Sequence, residues 1–364
     1  MSGCLFQICI MHHPLRETMG KPDRGVPVNV VAHRPKLTSA EVAALWTQYM
    51  NDSAGLCVAR AMQRHLEDPD TKAVFDYSTN LGTRHMDKIA SFLKSEGYPV
   101  PTGFSDRDLA VETPRLFTDV FCLNYLNIMS LHGCHGYSGA VTTSSRSDAR
   151  SYFTECATTA LELCNRTKDL LLEKGLYFRP PTLVPPSRVD FVTRESFLSG
   201  WFHDTRPLSC IEITDILFNL KKSILAKGLA VAFRQTASSD RVRSFLDEAV
   251  RTKEKHISMF NKIMEADGLP TPTCLTAEIT DSAKGPFSDK LMMFLIGFLF
   301  SSAMVYYGSG LASSPRKDLA PKYMMAIADD LKVGGEWMSI MIDNGWLEQP
   351  PLAENRHAVA GEKH

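Results

Sequence analysis

The sequence carries almost no excess charge of either sign, with 40 Lys and Arg against 41 Asp and Glu and a formal net charge of -1. Such a balance offers no field to draw in nucleic acid or an acidic membrane surface, so no nucleic-acid partner is expected. The nine cysteines, at positions 4, 9, 57, 122, 134, 156, 164, 210 and 274, form no Cys-x-x-Cys pair. An odd number scattered along helical segments reads as reduced thiols packed as small hydrophobes, which points to a reducing, cytoplasmic setting. There is no GxSxG, no GxxxxGK[ST], no HExxH and no GxGxxG after a strand, which removes the commonest reasons to propose an enzyme. The apolar stretch Cys4 to Met11 has neither a basic segment before it nor a small-residue cleavage site after it, so it does not read as a secretory signal.

What the chain does have is a second copy of itself. Shifted by 171 residues, Leu37 falls on Leu208, Glu41 on Glu212, Ala59 on Ala230 and His85 on His256, and Gly97, Pro99, Pro101 and Thr102 fall on Gly268, Pro270, Pro272 and Thr273. With one residue dropped, a shift of 170 puts Asp119 on Asp289, Arg146 on Arg316, Asp148 on Asp318 and Gly175 on Gly345. A period this long is a duplicated domain rather than a solenoid of 20- to 50-residue units. The expected organisation is a disordered tail over 1–36, a first unit over 37–181, a linker over 182–207, a second unit over 208–351 and a disordered tail over 352–364. Met11 and Met19 offer alternative starts, because the repeat begins only at Leu37.

Each unit contains four long helical patterns and almost no strand signal. In the first they run from about Thr38 to Leu66, Asp68 to Glu96, Pro114 to Thr142 and Ser147 to Lys174; in the second, near Ser209 to Ser238, Ser239 to Asp267, Ser288 to Ala312 and Lys317 to Asn344. Thr38-Ser39-Ala40-Glu41 resembles a capping box, Asp68-Pro69 opens the second helix, and Gly97 and Gly175 close the second and fourth. The first and second helices are joined by a residue or two, and the third and fourth by a short Ser/Arg turn, which makes each pair an antiparallel hairpin. Between the hairpins lie Gly97 to Glu112 and Gly268 to Phe287, rich in Pro and Thr. An extended loop of 17 residues reaches roughly 56 Å, and a 28-residue helix is about 42 Å long, so the connector can cross the bundle. The order short, long, short predicts an all-α protein of two tandem ferritin-like four-helix bundles with one crossover each.

The segments Leu45-Trp46-Thr47-Gln48-Tyr49-Met50-Asn51-Asp52-Ser53, Tyr98 to Asp106, Pro114 to Asp119 and Lys174 to Pro181 resemble a duplicated ferritin-like family of unknown function from spore-forming bacteria, some members of which are labelled spore coat proteins. Arg206-Pro207-Leu208 through Glu212-Ile213-Thr214 fits the same pattern, so the resemblance spans about Leu37 to Pro351. It implies a fold and a setting: a non-catalytic structural or interaction protein of the sporulating cell, cytoplasmic or deposited on the spore, whose partners are coat proteins or further copies of itself. It implies no reaction.

Di-iron bundles of this type use a Glu on each of two helices and Glu-x-x-His on each of the other two. Here Gly82 stands three residues before His85 and Lys253 three before His256, and the fourth helix of each unit has no His. Glu155 and Glu162 fall on the face opposite Phe153, Ala160 and Cys164, and their copy-two equivalents are Met325 and Lys332. No metal and no cofactor are expected, and a metal-binding or oxidative protein with an atypical ligand set is the alternative reading. The repeated His85 and His256 lie within apolar arcs and are expected to be buried core residues, with Tyr49 opposite His85 and Asp52 one turn away; the second copy offers Leu220 and Ser223 there. His132-x-Cys134-His135 with Cys57, Cys122, Cys156 and Cys164 invites a soft-metal store, but the second copy lacks all of these cysteines, and core filler is the plainer reading. The apolar run Leu291 to Tyr307 is read as a buried helix and not as a membrane span.

Overall fold

The protein is described by a computed structural model in which residues 35–200 and 205–355 are defined. Among these residues there are eight long helices and three short 3₁₀ turns: α1 (Ser39–Gln63), α2 (Pro69–Ser95), α3 (Asp119–Thr143) and α4 (Ser147–Glu173) in the first half, and α5 (Cys210–Thr236), α6 (Asp240–Ala266), α7 (Asp289–Ser313) and α8 (Leu319–Asp343) in the second. The tail expected over 1–36 lies, apart from Pro35 and Lys36, outside the described residues, as do 201–204 of the expected linker and 356–364 of the C-terminal tail.

Each half starts from the same device. Thr38 caps α1 in a capping box with Glu41, and Ser209 caps α5 in one with Glu212. The carboxylate of Glu41 then reaches across the bundle to accept the backbone N–H groups of Ser145 at 2.8 Å and Arg146 at 2.7 Å, where α4 begins. Glu212 accepts the N–H of Arg316 in the same way. Burial would raise both carboxyl groups, but for Glu41 the backbone donors of Arg146 and Thr38, and for Glu212 the Arg206 guanidinium and Ser209, hold them at about 2. Asp119 accepts the N–H groups of Glu67 and Asp68, and Asp289 those of Ser238 and Ser239, so each short α1–α2 or α5–α6 turn is pinned from the start of the third helix.

The third helix begins at Asp119, five residues later than the pattern from Pro114 suggested. The reason is tertiary. Backbone at 116–118 is held extended by the other crossover, with Thr118 N–H donating to Glu278 O and Thr280 N–H to Leu116 O, both at 3.0 Å. The reciprocal contact has Ala110 N–H on Pro286 O and Ser288 N–H on Asp108 O, both at 2.8 Å. The resulting antiparallel bridges, Leu109 with Phe287 and Phe117 with Ile279, interchange under the 170-residue repeat. The two halves thus meet as an isologous pair about a pseudo-two-fold axis, as the subunits of a homodimer would.

A single apolar core runs through this junction, joining Phe117 and Phe121 of the first half to Phe233, Phe287, Leu291 and Leu295 of the second. Phe104 and Phe294 meet at 4.8 Å between ring centroids. Helix α7 is long and apolar enough to cross a membrane, yet most of it is buried within the protein.

Candidate functional site

The interiors of the two bundles differ although their backbones repeat. In bundle two, α5 packs closely along α7; in bundle one, α1 touches α3 only sparsely. The space between them is a cavity of about 820 Å³, running from Ala40 to Ala59 along α1 and lined from α2, α3 and α4 by Leu81, Met129, Phe153 and Leu163. Phe298, Val305 and Tyr306 of α7 close one side. Residues at the mouth, among them Ala43, Thr47, Gly136 and Gly139, are exposed, so the cavity opens to solvent between α1 and α3.

Six positions account for the difference. Thr47, Asn51, Gly82, Ser130, Gly136 and Ala160 in bundle one stand where bundle two has Phe218, Lys222, Lys253, Phe300, Tyr306 and Asp330. Each replacement in bundle two is larger. The Phe218 and Tyr306 rings meet edge to face at 5.1 Å, with Lys222 Nζ over both ring faces. Behind this lid Lys253 Nζ sits 2.7 and 2.9 Å from the carboxylate oxygens of Asp330 and 3.8 Å from the centre of the Phe300 ring, all fully or nearly fully buried. Burial pushes Lys253 down and Asp330 up, and each partner's charge opposes the shift of the other.

His85 and Asp52 do come together: His85 Nδ1 lies 3.2 Å from Asp52 Oδ2. Asp52 also accepts the Tyr137 hydroxyl at 3.1 Å and Gln48 Nε2 at 3.0 Å. Burial alone would lower His85, but the Asp52 hydrogen bond, and after it the Cys156 thiol, raise it to about 10, so it is an imidazolium paired to a carboxylate. Its side chain keeps 12% of its surface, at the edge of the cavity rather than in a sealed core. Tyr49 is not part of this group; its ring lies against Gly103 of the crossover, where a Cβ would meet Ser53 Oγ at 2.6 Å and the Tyr49 ring at 3.2 Å and where φ is +59°.

His256 is fully buried. Its Nε2 is 3.2 Å from Asp329 Oδ2 and its Nδ1 3.2 Å from the Tyr307 hydroxyl, which in turn bonds Ser223 at 3.0 Å. Burial, and then the neighbouring Lys253, push it down to about 4, so the ring is neutral, donating to Asp329 and accepting from Tyr307. Leu220, the counterpart of Tyr49, is buried core.

Three of the residues around the bundle-one cavity each carry a buried polar atom without a hydrogen-bond partner: Gln48 Oε1, Tyr125 Oη and His132 Nε2. Their residues are 5%, 2% and 8% exposed. A buried polar atom without a partner costs about 1–3 kcal/mol. His132 Nδ1 is 3.0 Å from the Tyr306 hydroxyl, and burial followed by Lys222 pushes the ring down to about 3, so it is neutral. Sequence reasoning named neither this cavity nor the Lys253–Asp330 pair. The signal was present in the register of the repeat: small residues of one copy face large ones of the other, and a Lys sits within the apolar arc of Phe245, Ala249 and Phe260.

Among the described residues no three His, Cys, Asp or Glu side chains converge as metal ligands. Glu155 is exposed, and Glu162 is exposed with Tyr77 and Arg166 on its carboxylate. The seven described cysteines are free thiols.

A family model described as a protein of unknown function (DUF3231) matches residues 27–189 and again 196–359. No curated protein matches the chain. Among solved structures, one described as a "putative spore coat protein" from Bacillus halodurans C-125 is similar at 17% identity and a TM-score of 0.38, over 41% of this chain and 98% of that one.

Proposed function

Since the chain belongs to the DUF3231 family, in two tandem copies, we propose that it is a non-catalytic binding protein whose hollow first bundle receives a small lipophilic molecule while the second serves as a rigid, filled scaffold. The observation that carries this reading is the pairing of an 820 Å³ apolar cavity in bundle one with the Lys253–Asp330 ion pair that occupies the same place in bundle two. A cavity of this size lies within the range of small-molecule sites, about 300–1,000 Å³, and a mostly apolar lining with a few polar groups is what such sites have. Cys156, the thiol beside the His85–Asp52 pair, is fully buried and lies outside the cavity lining, which favours binding over turnover.

The sequence resemblance to a family of spore-forming bacteria supports a sporulating cell as the setting, with coat proteins or further copies of the chain as partners and the spore as its destination. In that setting a bundle that holds a lipophile would act as a store or a carrier within an assembled layer.

The test copies the bundle-two lid into bundle one. Thr47→Phe with Gly136→Tyr closes the mouth, and a Cβ at Gly136 meets nothing within 4 Å, so the fold has room for it. The natural protein is expected to bind the neutral dye Nile red at one site, with a blue-shifted emission, and the double variant to lose that site while keeping its helix content. Equal dye binding by both proteins would overturn the reading.

A further inference from the structure

Helix α8 is apolar on two sides. Tyr323, Ala326, Val333, Ile340 and Met341 are buried in bundle two, while Met324, Ala328, Leu331, Gly335, Met338 and Ile342 are exposed on the opposite face. Steps of four and three residues alternate along this second set, the spacing of a heptad seam, so the six positions form one straight stripe. From Met324 to Ile342 it runs about 27 Å at 1.5 Å per residue. Met324, Leu331 and Ile342 keep 59%, 60% and 58% of their surface, and a contiguous apolar patch of this kind is the mark of an interaction site, unlike single apolar residues scattered over a surface. At the same positions of α4 the first bundle has Thr154, Thr158, Leu161, Asn165, Lys168 and Leu172. The fold itself therefore does not require an apolar outer face there.

Gly334 and Gly335 stand in the middle of this helix, where glycine is less favourable than any residue but proline. Nothing within the chain calls for them. A Cβ on either would meet no atom within 4 Å, and α4 has Cys164 and Asn165 in their place. An exposed glycine on a helix lets another backbone approach closely, and the order of sizes along the stripe says which backbone fits. Laid antiparallel on itself about a two-fold axis between residues 333 and 334, the stripe sets Leu331 on the partner's Gly335, Met338 on the partner's Ala328 and Met324 on the partner's Ile342. Large residues meet small ones on either side of the axis, and the match is reciprocal, as an isologous contact demands. The same operation brings Lys332, 82% exposed and no nearer than 4.0 Å to Glu248, to the partner's Glu336, and the exposed Glu336 to the partner's Lys332. Opposite charges thus flank the seam twice. One helix diameter wide, the stripe has a footprint of roughly 270 Å² on each copy, against about 800 Å² per partner in a stable complex, so the pair it forms is weak and reversible.

We propose that the outer face of α8 is a self-association surface, on which a second copy of this chain lays its own α8 antiparallel about a two-fold axis. The inference rests on the reading that further copies of the chain are among its partners, and it is independent of the bundle-one cavity. Sedimentation velocity of the full-length protein over a range of concentrations tests it. The natural protein is expected to form a concentration-dependent dimer. Gly335→Gln replaces glycine by a better helix former, so it should raise the melting temperature and yet weaken the dimer roughly tenfold or more. Lys332→Glu should weaken it roughly two- to thirtyfold, through the loss of two surface pairs, and Lys332→Glu with Glu336→Lys should restore it. A dimer that Gly335→Gln leaves intact, or a charge loss that the double exchange fails to restore, overturns this surface while self-association stands. A natural protein that stays monomeric at every concentration overturns the self-partner reading and this inference together, and a monomer that binds phosphatidylcholine vesicles but loses them in Leu331→Lys would give the face to a lipid surface instead.

Discussion

His85 on α2 and His256 on α6 occupy the same position in the two halves, yet one is held as a cation and the other as a neutral ring. His85 faces the Asp52 carboxylate at 3.2 Å, and Gly82 stands three residues before it. His256 has Lys253 there, whose charge, added to complete burial, keeps the proton off.

Opposite pH dependences follow from this difference. His85 is raised from 6.5 to about 10, so its stabilisation is full below pH 6.5 and is lost as pH rises toward 10. His256 is lowered from 6.5 to about 4, so the folded state loses stability as pH falls from 6.5 toward 4. The melting-temperature gap between the natural protein and His85→Gln should narrow on going alkaline, and the gap for His256→Gln on going acid. Gaps that move in the same direction would refute the assignment.

The Lys253–Asp330 pair is fully buried on both sides. Removing one partner leaves the other charge stranded, so Lys253→Met or Asp330→Leu alone should cost about 3–5 kcal/mol. The double replacement should recover most of that loss, because an apolar filling of similar volume is often neutral or better. Chemical denaturation of the three variants measures it, and an additive double variant would contradict the geometry.

Glu41 accepts hydrogen bonds from Thr38, Ser145 and Arg146 and lies at about 2 against an ordinary 4.5. Its contribution is present above pH 4.5 and is lost as pH falls toward 2. Glu41→Gln should lower stability by about 1.5–3 kcal/mol near neutrality, the range for hydrogen bonds to a charged group, and should make little difference at pH 2.

A polypeptide ending at Pro181 would expose Phe117 and Phe121, which are buried against the second half. It should fold but self-associate, forming with a second copy the isologous contact that bundle two now supplies. Sedimentation velocity would read this as a concentration-dependent dimer or larger species; a strictly monomeric half would show that the junction contributes little.

Metal analysis after purification without chelator bears on the alternative reading of the sequence. Less than stoichiometric iron, manganese or copper is expected, and two tightly bound ions per bundle would overturn it.

The sequence by itself determined the duplication, the helical class and the short-long-short order of connections, because these depend on local signals: caps such as Thr38 and Asp68, turn glycines such as Gly97 and Gly175, and apolar residues at helical spacing. Counting across the short α1–α2 turn put Tyr49 opposite His85 and Asp52 one turn away, whereas in the structure Asp52 faces His85 and Tyr49 lies against Gly103. Tertiary structure alone decided the rest. The start of α3 moved to Asp119 because the two crossovers pair with each other, a contact between segments about 170 residues apart. Whether a bundle is hollow or filled depends on how volumes from four helices add up at one level, and no single helix carries that sum. Gly82, Gly136 and Ala160 read as unremarkable small residues one at a time; facing each other across bundle one, where Lys253, Tyr306 and Asp330 fill bundle two, they leave a cavity.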